Sequence, residues 1–375
     1  MNNKNLLAKI GAWLNDPGGL TLRDLAVYRI FFSIIVLLAY TKYSTNAGIP
    51  NEMYHPIPGM LQLFHSFPPL WVLILFQVVY LVTASALLFG FLTPIASVLF
   101  GANMIIANGF TFALGKLDHG IIIAIVPMIM AFSGWGNAYS IDSKQFLSQR
   151  AHPSSVIRPW VIRWMALTIS LWLFTAAFAK ATTGWLDPSK RGTQGYFFSY
   201  YLGGLTSGKI PDLVSKIHFG PFWKFLDYST VLCESLPLLL FVFGWKYWKL
   251  APSFLIFFHI GINFTLSIFY APAFVAYAAF VPWDRILRKV TSHFSALNKL
   301  RWPVVLIFAL FWGFASGPIK RIVNPWQPDV LMLAGVILAS GYIINFVRNQ
   351  FFTPKEPTMP VKQLPKHLSR REFYS

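Results

Sequence analysis

The chain holds one cysteine, Cys233, which excludes an intramolecular disulfide and any zinc site built on thiolates. It is also poor in charge: 12% of its 375 residues are Asp, Glu, Lys or Arg, about half the share found in soluble domains. Acidic residues are the scarcer kind, 13 against 31 basic ones. Apolar residues take their place, at 55% of the chain with a mean hydropathy of +0.54, including 36 Phe, 15 Tyr and 14 Trp. This excludes a water-soluble core as the main architecture. It suits an all-α, polytopic integral membrane bundle with aromatic belts at both interfaces.

The net charge of +18 would fit nucleic acid only with clustered Lys and Arg. Here the basic residues fall between the apolar runs, as in cytoplasmic loops facing anionic lipid, so the bilayer is the expected partner and nucleic acid is not. The histidines are scattered, and no metal site is expected. The N-terminal stretch is too short and interrupted for a signal peptide and reads as an interfacial helix.

Apolar runs place helices at about 25–43, 68–91, 94–114, 119–135, 159–180, 224–245, 250–269, 270–283, 302–319 and 328–347. The run at 270–283 is short for a span, and Pro272 offers a break, so eight to ten crossings are expected. With ten crossings and a cytoplasmic N-terminus, about twice as many Lys and Arg lie inside as outside, which puts both termini at the cytoplasmic face of the cell membrane. The chain then divides into an interfacial segment (1–24), a transmembrane domain (25–285), further transmembrane helices (286–348) and a basic, proline-rich tail (349–375) expected to be disordered. The 181–223 loop is aromatic and glycine-rich and is expected to pack on the membrane surface. Neither an internal repeat nor a signal for an oligomeric state is evident.

Polar residues on apolar helices carry the functional information. Lys180 ends the run that begins at Trp164; it is either an anchor whose ammonium snorkels outward or part of a site. Asp118 precedes His119 at the start of the fourth run, as a helix cap or as a pair with the histidine. Glu234 lies mid-span, with Asp227 and Thr230 on its helical face, and either bonds across helices, pairs with Arg29 or serves a site. His259 and Asn263 share a face at i, i+4, as an interhelical hydrogen-bond pair or as site residues. The topology sets His119, Lys180, Asp227 and Asn263 at similar depth on the outer side, which suggests one outward-facing cavity.

Several segments, in order, resemble the HTTM (horizontally transferred transmembrane) domain, the membrane half of vitamin K-dependent gamma-glutamyl carboxylase. They are Leu25-Ala-Val-Tyr-Arg29, Lys116-Leu-Asp118-His119, Ala131 to Asp142, Ala176-Ala-Phe-Ala-Lys180 with Gly184-Trp185-Leu-Asp187, Glu234-Ser-Leu-Pro237, and Phe257-Phe-His259. The resemblance spans about residues 20–285 and extends to bacterial stand-alone proteins, including the membrane component that matures a sporulation-delaying toxin peptide. It implies a reduced, vitamin K-like quinone as cofactor, with Lys180 as the base that deprotonates it and His119 and His259 as catalytic-pocket residues. Arg29, Asp118, Trp185, Asp227, Glu234 and Asn263 are the accompanying candidates for cavity or substrate binding. Two departures count against full peptide carboxylation: further apolar runs stand where the carboxylase continues into a lumenal domain, and one lysine stands where its motif has a pair.

Two functions follow. One is a membrane enzyme acting on a quinone-like lipid or a peptide. The other is a non-enzymatic membrane protein, either a transporter or a partner subunit in peptide maturation or export. Pro127, Pro237, Pro252 and Pro272 would supply the broken helices that transport needs.

Overall fold

The computed structural model describes residues 11, 13–14, 16, 18–39, 42–56, 59–114, 120–148, 157–243, 247–293 and 327–352. Among these residues every regular element is helical. Five helices are long and apolar enough to cross a membrane: Leu70–Phe89, Thr93–Phe112, Pro159–Trp185, Gly220–Phe243 and Leu331–Gln350. Shorter apolar helices, Ile121–Met130, Leu250–Leu266 and Ala271–Phe280, accompany them.

Local chemistry sets the helix ends. The first helix, α1 (Leu22–Leu38), opens on a capping box in which Thr21 Oγ1 accepts from Asp24 N and the Asp24 carboxylate accepts from Thr21 N at 2.7 Å. Helix α2 (Leu70–Phe89) follows Pro69 and stops at Gly90, whose φ of 66° suits the left-handed end of a helix. There follow α3 (Thr93–Phe112), α4 (Ile121–Met130), α5 (Ile141–Ser148) and α6 (Pro159–Lys180), with proline in the first turn of α3 and α6. The outer loop folds into α7 (Gly192–Leu202) and α8 (Lys209–Ser215). Then come α9 (Gly220–Phe243), α10 (Leu250–Leu266), α11 (Ala271–Tyr277), α12 (Trp283–His293) and α13 (Gln327–Val347).

These helices follow the apolar runs closely, with two corrections and one exception. The fourth run ends early, because Pro127 and then Gly134 at φ 82° turn the chain out of the helix. A helical turn continues from α13 through Arg348–Phe352, so the start of the segment expected to be a disordered tail is helical. The run at 302–319 lies outside the described residues.

Connecting segments meet at two ends of the bundle. At the first end Arg163 pairs with Asp16 at 3.0 Å, Lys249 donates to Gly18 O at 2.9 Å, and Asp284 N donates to Asp24 at 2.8 Å. At the second, His55 N donates to Ala113 O, Asn46 to Thr111, and Thr206 to Thr265 O. Successive apolar helices alternate between these ends, and the 270–283 run joins them as a helix of seven residues plus a 3₁₀ turn. Its ten residues reach about 15 Å, half a bilayer core.

The buried charge near the first end explains another part of the sequence. Arg29 is fully buried and donates from Nη2 to Tyr139 O at 2.6 Å. Beside it, the Asp142 carboxylate accepts from Leu92 N, Thr93 N and Thr93 Oγ1 within 2.9 Å, capping α3 from fifty residues away. That grip also holds Leu92 at φ 45°, a strained value for leucine. Trp135, buried in the same plug, donates to Ser97 Oγ. The Ala131–Asp142 motif is therefore a plug that locks α1, α2 and α3 together.

Gly90 is the tightest point in this plug, since an added Cβ would lie 1.6 Å from Arg29 Nη1 at a positive φ. Gly90→Ala should cost at least about 2 kcal/mol. It should lower the apparent Tm in detergent well below that of Gly195→Ala, whose Cβ meets nothing within 4 Å. Equal Tm values for the two variants would show that the plug yields.

Candidate functional site

Helices α6 and α9 pack along one another, and one ion pair joins them. Lys180 Nζ donates to both carboxylate oxygens of Glu234, at 2.8 and 2.7 Å. Lys180 is the last residue of α6; the chain then widens into a π-helical turn, Ala181–Trp185, of the kind that often marks functional sites. Gly184, at φ 96°, ends that turn.

Three contacts then set the walls above the pair. The Trp185 indole lies 5.6 Å from Lys180 Nζ, within cation–π range. It can pack there because Gly192 has no Cβ, which would otherwise fall 2.6 Å from the ring. Lys224 donates to Trp185 O, Lys190 O and Asp227, and Asp227 accepts from Gly192 N and Thr193 N. Asp227, fully buried, thus caps α7 and pins the loop to α9. Outside the helices, the Ser189 hydroxyl and amide hold the Asp187 carboxyl below its usual range and round off the turn.

Beneath this loop lies a cavity of about 630 Å³. Lys180, Glu234, Thr193 and Thr230 supply its polar groups, and Trp185, Tyr196, Phe197, Trp223, Phe258 and Tyr270 are among its walls. The side chains of Lys180 and Glu234 are 25% and 11% exposed, so the pair is sheltered but reachable from the cavity. Ion pairs in such surroundings are held by mutual attraction against a desolvation cost of several kcal/mol per ion.

The sequence candidates distribute unevenly around it. Lys180, Glu234 and Trp185 meet at the cavity. Lys180 does not snorkel outward as a simple anchor would, since its ammonium is turned onto Glu234. Nor does Glu234 pair with Arg29, which is engaged in the plug. Asp227 holds the wall from behind. Asn263 faces α13, with its amide 3.5 Å from Met332 Sδ. His259 is buried one layer back, with Nε2 3.1 Å from the Tyr277 hydroxyl and its ring stacked on Tyr270 at 4.7 Å. It therefore reaches the cavity through Tyr270. Asp118 and His119 lie outside the described residues. No cluster of three His, Cys, Asp or Glu able to hold a metal occurs among the described residues.

The aromatic walls contributed by Tyr196, Phe197, Trp223, Phe258 and Tyr270 were not singled out from sequence, because aromatic residues are abundant throughout. Gly192 was the available signal, since it leaves room on α7 for the Trp185 ring.

Removing one member of the pair leaves the other unbalanced in an apolar wall. Lys180→Met and Glu234→Leu should each destabilise the protein by roughly 2–4 kcal/mol, and the double variant should recover most of that loss. Apparent Tm values for the four proteins in one detergent would measure the coupling. Additive losses would mean that the two groups act independently.

No family model, curated protein or solved structure matches the chain, so its function is read from the chemistry of this site.

Proposed function

We propose that this protein is a polytopic membrane enzyme with both termini in the cytoplasm, and that the Lys180–Glu234 cavity acts on a quinone-like lipid. The observation that carries this reading is a lysine–carboxylate pair in the wall of an aromatic-lined cavity reached from the end of a span. The fit to the ligand rests on two features. Trp185, Tyr196 and Phe197 offer flat apolar faces for a fused ring, and the pair offers one proton acceptor and one donor for ring oxygens. The resemblance of Ala176–Lys180 and Glu234–Pro237 to the HTTM domain supports the same choice.

A bound hydroquinone would supply an acidic hydroxyl and a reducing equivalent. The chain's part is proton handling. In the resting pair Lys180 carries the proton and Glu234 the negative charge. Transfer of that proton from Nζ to Glu234 leaves two neutral groups, which an apolar wall favours relative to water. The neutral amine then takes a proton from a hydroxyl held against it, and when the ionised ligand leaves Glu234 releases the first proton to water, which restores the ion pair. Trp185 stabilises the ammonium formed at each turn. Lys224 and Asp227 act by holding the Trp185 loop over the pair.

The test uses the purified protein in mild detergent with a short-chain naphthohydroquinone as probe. Wild type should bind it saturably, with quenching of tryptophan fluorescence that falls in Trp185→Phe. Lys180→Met should bind the probe and fail to shift its ionisation, which its absorbance spectrum reports. In the native host, Lys180→Ala and Lys180→Arg should both reproduce the deletion phenotype. Full activity of both variants would remove Lys180 from the chemistry. Solute flux in proteoliposomes that is lost in Glu234→Gln, without probe binding, would replace the enzyme reading by transport.

A further inference from the structure

A second cavity, of about 530 Å³, lies between α10, α11, α12 and α13. Its long walls are hydrocarbon, with Ile256, Phe274, Leu331 and Leu338 among them. Lys249, at the foot of α10, and Lys289, on α12, also line it. Lys249 belongs to the first end of the bundle, where its ammonium donates to Gly18 O. Burial pushes that ammonium below the usual lysine range, and Asp16 and Asp24 oppose the shift.

The surroundings are basic. Helix α12 carries Arg285, Arg288 and Lys289 against one acid, Asp284, which already accepts from its own neighbour Arg288 at 3.0 Å. An apolar slot that also presents ammonium groups matches an amphiphile with an anionic head. Basic pockets between membrane helices on the cytoplasmic side bind such headgroups. The slot also has room along α13: an added Cβ at Gly341 would meet no atom within 4 Å.

We propose that this slot is a binding site for one anionic phospholipid, with an acyl chain along α13 on the side that faces α12 and the phosphate against Lys249 and Lys289. The site depends on the membrane setting of the protein and not on chemistry at Lys180. It also orients the protein, because the headgroup level coincides with the end of the bundle that carries Lys249, Asp16 and Arg163.

The experiment takes the full-length protein, delipidated in detergent and offered equal phosphatidylglycerol and phosphatidylcholine. Retained lipid is read by native mass spectrometry and apparent Tm is recorded alongside. Wild type should enrich phosphatidylglycerol, at about fivefold for each lysine engaged. Lys289→Gln, a change at an exposed side chain, should remove one such factor. Gly341→Phe should fill the slot and abolish retention of both lipids. Equal retention of the two lipids by wild type, or an enrichment that survives either substitution, overturns the proposal. A slot filled by the chain's own 302–319 run would give the equal-retention result. Lys180→Met should leave the enrichment unchanged, so failure of this site and failure of the Lys180 chemistry are separable.

Discussion

An ammonium and a carboxylate cannot each stand alone in an apolar wall, and the pairing of Lys180 with Glu234 determines how α6 and α9 lie together. Lys180 closes α6, while Glu234 lies about four turns into α9, just past its middle. Their contact is met only at one offset of the two helices, so the ion pair specifies their register. Buried pairs add little net stability over apolar packing, but they penalise misregistered alternatives heavily. The same logic recurs at each buried charge. Arg29 is held in the Ala131–Asp142 plug, Arg163 takes Asp16 and stacks on Trp13, and Asp227 takes Lys224 and two amides.

This constraint also explains what could be read beforehand. Helix positions were legible because hydrocarbon burial needs long apolar runs, and the ends followed from Thr21, Pro69, Pro159 and Gly90, whose backbone preferences are local. That Lys180 and Glu234 would need polar partners was legible for the same reason: ionisable groups inside such runs are costly and rare. Their partnership was not, because fifty-four residues separate them and several cations were available to Glu234. Arg29, a cation inside the first span, was an equally plausible partner on charge alone. Only the helix register, which depends on packing between all the spans, decides between the two. The contacts of Asp227 and Asn263 were not legible either. Similar depth does not fix which face of a helix looks inward: Asp227 turns to the amides that open α7, and Asn263 turns to α13.

The break between α10 and α11 borders the Lys180 cavity, which Ile268 and Tyr270 help to line. Ser267, at φ 55°, ends α10, and Thr206 from the loop reaches its hydroxyl and Thr265 O. Helix α11 then covers only part of the bundle's height, and space remains on either side of it. His259 fills the wall between: its ring stacks on Tyr270, which lines the Lys180 cavity, and shares a hydrogen bond with Tyr277, which lines the lysine-lined slot. The three rings lie within about 25° of parallel, at 4.7 and 6.1 Å. A shift of Tyr277 by whatever enters the slot would press on His259 and, through it, on Tyr270. A histidine suits this position better than a phenylalanine of similar size, because its Nε2 fixes the ring plane through Tyr277 while its face holds Tyr270. The family resemblance implied a catalytic-pocket role for His259. Its geometry makes it a positioning residue for the cavity wall, joined to Tyr277 by a hydrogen bond and to Tyr270 by stacking.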